Sequence, residues 1–133
     1  MKKFLITVVC SGLVATAYLQ TTQSTQVVNG KKVYEKNCMA CHMVNGNGVP
    51  GLNPPLSKTD WVTGDKKRLI NVVLKGLEDA IEVNGEEYVN PMPAMPHLTD
   101  TEIADVLTYV RASFGNKASA VTSAEVKALR VKK

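Results

Sequence analysis

Cys38-Met39-Ala40-Cys41-His42 decides how this 133-residue chain is read. Two thiols stand two residues apart, and an imidazole follows the second at once. Each residue type has a chemical task. Paired thiols at this spacing can add to the two vinyl groups of one porphyrin, and the adjacent imidazole can then bind its iron. C-x-x-C-H is the attachment signature of a c-type haem.

Other uses of the same residues fit less well. A zinc site needs about four ligands, and Cys38, Cys41, His42 and His97 could supply them only on paper. A thiol oxidoreductase places C-x-x-C near a βαβ pattern, and strand signals here are weak. Gly46-Asn47-Gly48-Val49-Pro50-Gly51 formally matches G-x-G-x-x-G. That fingerprint binds dinucleotides only between a strand and a helix, and Pro50 stands where the helix should begin. The glycines are better placed to let backbone pass close to a porphyrin.

Upstream, Met1-Lys2-Lys3 precedes an apolar run from Phe4 to Ala15, and Ala15-Thr16-Ala17 offers a small-x-small site. This is the order of a secretory signal. The run falls short of the roughly 20 apolar residues of a membrane span, so an uncleaved anchor is the lesser reading. Cleavage after Ala17 removes Cys10 and leaves only Cys38 and Cys41 in the mature chain. Losing Lys2 and Lys3 lowers the formal charge from +4 to +2. Nucleic-acid binding asks for a clustered basic face, and none is expected.

Residues 1–17 are thus read as signal peptide, 18–28 as a flexible polar linker, 29–116 as one domain and 117–133 as a basic helical tail. Gly30 to Met39 reads as a helix leading into the haem motif, with Val33 and Tyr34 facing inward. Asn45 to Pro55 carries three Gly and three Pro and reads as loop. Asp65 to Gly76 predicts a second helix, its stripe formed by Leu69, Ile70, Val73, Leu74 and Leu77. An acidic stretch follows with Asn84-Gly85 as a hairpin turn. Its charges, Glu78, Asp79, Glu82, Glu86 and Glu87, read as a solvated face. Thr99 to Phe114 is the clearest helix. Thr99 with Glu102 makes a capping box, Ile103, Val106, Leu107, Val110 and Phe114 make the stripe, and Gly115 closes it. Thr122 with Glu125 opens a shorter helix with only Val126 and Leu129 as apolar edge, so loose docking is expected.

A six-coordinate iron needs a second ligand, and Met92, Met95 and His97 are the candidates. Met92 is preferred. Pro91 and Pro93 fix their own φ and push the residues before them toward extended geometry. The thioether of Met92 then stands on a stiff segment. Met95 is otherwise polarizable filler, and His97 a surface residue before a helix cap. Trp61 reads as core or haem-edge packing, with an indole N–H able to reach a propionate.

These residues resemble the class I (monohaem) c-type cytochromes, small bacterial periplasmic type. The resemblance spans roughly Val28 to Gly115. Gly30 and Tyr34, eight and four residues before Cys38, look like the family's N-terminal helix, where a glycine lets the C-terminal helix cross closely. Val106 and Tyr109 look like the crossing partner. Phe114-Gly115-Asn116 and Thr122 to Lys127 resemble the tail of small bacterial members. Met92-Pro93 matches the family's Met-Pro ligand pair, and Met95-Pro96 matches it too. The family's histidine donates to a proline carbonyl, a role that Pro54 or Pro55 fits.

The resemblance implies an all-α cytochrome c fold, about four to five helices around one covalent haem c. It implies an electron carrier rather than an enzyme, with Cys38 and Cys41 as thioethers and His42 and Met92 as iron ligands. It also implies redox partner proteins, a monomer, and a periplasmic or otherwise extracytoplasmic location, with membrane contact only through an uncleaved N-terminus. The alternative is a haem protein with an open or labile distal position, acting as a small-ligand sensor or peroxidase.

Overall fold

The computed structural model describes residues 23–130. The signal peptide, Cys10 and residues 18–22 of the expected linker lie outside the described residues. Six helical segments and one hairpin make up the described chain. They are α1 (residues 23–37), α2 (Met39–His42), α3 (Asp60–Thr63), α4 (Lys66–Lys75), β1 (Ile81–Val83), β2 (Glu86–Tyr88), α5 (Asp100–Ala112) and α6 (Ser123–Arg130). α2 and α3 are single turns. No helix among the described residues is long and apolar enough to cross a membrane.

α5 is the central element. Ile103, Ala104, Val106, Leu107 and Val110 are buried along it, and so are Asp105, Thr108 and Arg111 on its other faces. A surface helix would keep such polar residues wet, so neighbours must cover α5 on several sides. Its start is the expected capping box, with the Thr99 hydroxyl accepting from Glu102 N–H and the Glu102 carboxylate accepting from Thr99 N–H. α1 crosses α5 at Gly30. A Cβ there would collide with the Asp105 carbonyl and with Tyr109 Cβ, so only glycine permits this crossing. Tyr34, 1% exposed, packs beside it against Tyr109 and Phe114, with ring centroids 5.5 and 5.3 Å away.

α4 forms between the caps the sequence marks. Asp65 Oδ1 accepts from Lys67 N–H, and Gly76 ends the helix at φ +76. Leu69, Ile70 and Val73 are its buried stripe. Asn84 and Gly85 both take positive φ and join β1 to β2 in antiparallel register, Ile81 opposite Tyr88 and Val83 opposite Glu86. The hairpin's inner face buries Val83 and Tyr88. Its carboxylates and those just before it stay exposed.

Three expectations need correction. Residues 23–28 are not linker: they are the first turns of α1, and Gln26 reaches across to the Val121 carbonyl at 3.2 Å. α5 ends at Ala112, short of Phe114. Phe114 instead takes φ +56, which turns its ring into the aromatic cluster. The tail is part of the core rather than loosely docked. Val121 and Val126 are 0% exposed, Lys66 bonds the Ala120 carbonyl and Glu125, and Arg130 pairs with Asp100 at 2.6 Å. The apolar edge of α6 is thin, but Val126 is fully inserted and Glu125 and Arg130 are tied to neighbouring elements.

Candidate haem-binding site

One cleft in the core gathers the motif and both methionine candidates. Cys38, Cys41, His42, Pro54, Pro55, Trp61, Met92 and Met95 all line it. Its remaining wall is largely aliphatic, including Leu69, Val73, Leu77, Ile81, Val83, Leu98, Val106 and Val110. About 1220 Å³ of empty space, open mouth included, lies between them. An apolar slot that opens beside two thiols and an imidazole fits a flat, covalently held macrocycle.

The motif side is built locally. Cys38 N–H closes on the Tyr34 carbonyl at 2.8 Å, and His42 N–H on the Cys38 carbonyl at 3.0 Å. α2 thereby brings both sulfurs and the imidazole to the same cavity. Cys38 is half-buried and Cys41 exposed. Burial, and then the neighbouring Cys41, pushes the free Cys38 thiol up to about 11. A thioether at that position does not titrate.

His42 is 8% exposed. Its Nδ1–H donates to the Pro54 carbonyl at 3.0 Å, which leaves Nε2 as the nitrogen free for a metal. Burial lowers its proton affinity, opposed by the bond to Pro54. A buried neutral imidazole oriented by a carbonyl is the arrangement of a metal-binding histidine. Of the two prolines, Pro54 makes this bond and Pro55 lines the cavity.

Asn116 holds the loop just beyond that proline, a role its sequence context does not announce. It is 4% exposed. Its amide donates to Leu56 and Val110 carbonyls at 2.8 Å each, and its Oδ1 accepts from Lys58 N–H at 2.7 Å. The Pro54–Leu56 stretch is thereby tied to the end of α5. No local pattern around Asn116 announces contacts some sixty residues away. Asn53 and Asn90 also line the cavity and bond each other at 3.3 Å, again without a motif.

The far wall is the segment from Leu77 to Met95. Met92 exchanges two backbone bonds with Leu77, N–H to carbonyl at 2.8 Å and the reverse at 2.9 Å. Met95 N–H donates to the Val73 carbonyl at 2.9 Å. His97 does not reach the cleft. It lies in a surface groove with Lys32, Lys36 and Glu102, its Nε2 3.5 Å from Asn37 Oδ1. The Trp61 indole N–H is already engaged, donating to the Glu82 carbonyl at 3.0 Å.

Residues 27–113 match the family described as Cytochrome c. Cytochrome c-552 of Thermus thermophilus is 38% identical over 114 residues, covering 79% of this chain and 86% of that protein. Cytochrome c6 of Parathermosynechococcus lividus is 39% identical over 85 residues, covering 63% of this chain and 86% of its own. The cytochrome c subunit of the quinone alcohol dehydrogenase of Gluconacetobacter polyoxogenes is 34% identical over 122 residues, 87% of this chain but 25% of that one. With C-x-x-C-H opening onto an apolar slot, this chain belongs to the cytochrome c family, carries one covalent haem c and transfers electrons rather than catalysing a bond-making reaction.

Proposed function

We propose that His42 and Met92 would be the two protein ligands of the iron, and that the protein is an electron carrier in an exported chain. When bound, the haem supplies a one-electron iron couple. The chain's residues do the rest. Cys38 and Cys41 hold the group covalently and set its orientation. Pro54 fixes the His42 tautomer and strengthens its donation. Met92 supplies a soft sulfur that favours reduced iron and raises the potential. Keeping the same two side chains on the metal in both states limits reorganisation. The aliphatic wall keeps water away from the iron.

The observation that carries this reading is one cleft lined by Cys38, Cys41, His42 and Met92 together. Met92 is favoured over Met95 by its two-way backbone bridge to Leu77 and by the prolines on both sides. The oxidised protein is expected to show the weak far-red band of methionine on ferric iron. A high-spin ferric spectrum, or rapid carbon monoxide binding to the reduced protein, would instead establish the sensor or peroxidase reading.

The electron donor belongs, in this proposal, to the class of exported dehydrogenases. Its support is the similarity to cytochrome subunits of an alcohol dehydrogenase (quinone) and of a gluconate 2-dehydrogenase. The signal-like N-terminus points the same way. Purification from its native envelope fraction with a dehydrogenase that reduces it tests the assignment. Failure of every such dehydrogenase to reduce it would exclude this class.

A further inference from the structure

Trp61 stands at the rim of the haem cleft, on the single turn of α3. Three contacts meet at its ring. Its Nε1–H donates to the Glu82 carbonyl in β1 at 3.0 Å, a link across 21 residues. The Arg68 guanidinium of α4 lies 4.4 Å from the ring centroid. Arg68 in turn donates to the Asp60 carbonyl at 2.8 Å and pairs with the Asp60 carboxylate at 3.2 Å. The base of this arrangement is fixed, because Thr59 is 1% exposed and caps the turn through Val62 N–H.

What Trp61 holds is a wall of the cleft. Ile81 and Val83 of β1 line it, and two-stranded hairpins are marginal by themselves. The hairpin therefore needs an anchor to the helical body. At its base Leu77 bridges Met92, while Glu82 lies beyond that bridge, toward the turn. Trp61 binds it there.

We propose that Trp61, braced by Arg68, is a positioning residue that latches the β1–β2 hairpin over the haem and thereby limits water access to it. The latch acts through the backbone of Glu82, so the glutamate side chain is free to vary. It works whichever methionine binds the iron, because no contact in it involves Met92 or Met95. Its effect on the redox couple follows from solvent access. A wetter site favours the more highly charged oxidised iron, and the hydrophobic shell sets that access.

The test uses the holoprotein and Trp61→Phe, which keeps an aromatic face for Arg68 and removes only the N–H. Hydrogen exchange is read by segment, and the midpoint potential by titration. The expected result is at least about fivefold faster exchange in residues 81–88, as loss of one such bond implies. Amides of α5 should be unchanged and the midpoint should move negative. Arg68→Gln should give the same hairpin-confined change at a smaller factor. A shifted midpoint with unchanged hairpin exchange in Trp61→Phe would mean the indole serves a haem carboxylate, and overturns the latch. Faster exchange throughout the molecule would make Trp61 an ordinary core residue, and no change in either variant would make it a bystander. Both outcomes overturn the proposal.

Discussion

The two sides of the haem cleft are built by different means. The His42 side is local: two thiols and one imidazole within five residues, directly after α1. Its orienting carbonyl, Pro54, is only twelve residues on. The Met92 side is assembled at a distance. Leu77 bridges Met92, the Val73 carbonyl accepts from Met95, and Trp61 donates to the Glu82 carbonyl. One side can be specified by a motif, whereas the other exists only when the fold has closed. The consequence is an asymmetry in what mutations do. Damage on the histidine side should remove the haem and with it the fold. Damage on the methionine side should leave a folded, altered haem protein.

The largest effect is expected from Cys38→Ala with Cys41→Ala. Without thioethers the haem is not retained, and a domain this small buries limited apolar surface alone. The variant chain should lack a cooperative thermal melt and most of its helical circular dichroism. A cooperative melt without haem would show that the helical body stands unaided and would erase the asymmetry.

Met92→Ala against Met95→Leu sharpens it next. Met92→Ala should still fold around covalent haem but lose the far-red band. Its reduced-to-oxidised ratio at fixed poise should fall more than tenfold, a negative shift of about 59 mV or more. Met95→Leu replaces one apolar side chain by another of similar volume, at under about 1.5 kcal/mol, and should keep band and potential. The reverse pattern would transfer the ligand role to Met95.

Gly76 tests how tightly the distal wall is set. It ends α4 at φ +76, and a Cβ would lie 2.5 Å from the Met92 carbonyl and 2.8 Å from Ala94 N. Gly76→Ala should cost about 3 kcal/mol, the upper end of backbone strain, because neither contact is the tip of a flexible side chain. Gly51→Ala is the control. Its φ is +70 but a Cβ there meets nothing within 4 Å, so only the left-handed penalty of about 1 kcal/mol applies. Chemical denaturation of both holoproteins measures the difference. Equal losses would mean that Met92 yields to the added methyl.

The same contrast explains what was legible in the sequence. The helices α4 and α5 were readable because caps and apolar spacing are local: Asp65 and Gly76 for one, Thr99 with Glu102 for the other. The hairpin was readable because Asn84-Gly85 accept positive φ. The haem side of the site was readable because Cys38, Cys41 and His42 are contiguous. Non-local geometry escaped. Asn116 looks like a loop residue until its amide meets Leu56 and Val110. The thin edge of α6 says nothing of Arg130 meeting Asp100. Trp61 reads from sequence as core or haem-edge packing, and its hydrogen-bond partner lies 21 residues away. The early start of α1 was hidden by Thr, Gln and Ser, poor markers of a buried helix, although Gln26 and Asn29 turn out to bond Asp105.

Asp105 carries the smallest prediction, at a place outside the lining of the cleft. It lies 6% exposed on α5 at the crossing with α1. Burial raises its pKa, and hydrogen bonds from Gln26 and Asn29 offset part of that rise. A carboxyl whose folded pKa lies above its unfolded value favours the fold most when protonated. Its contribution is full below the unfolded value near 3.9 and is lost as pH rises through the folded value. At neutral pH the buried charge is therefore a cost. Asp105→Asn keeps an oxygen for both amide donors and removes the charge. The variant should be more stable than the wild type at pH 7, by less than about 1 kcal/mol given partial solvent screening. The advantage should shrink toward zero at about pH 3, where the wild-type carboxyl is neutral as well. Thermal melts of both holoproteins across that range measure it. A pH-independent difference would locate the effect in packing against Gly30 rather than in the charge.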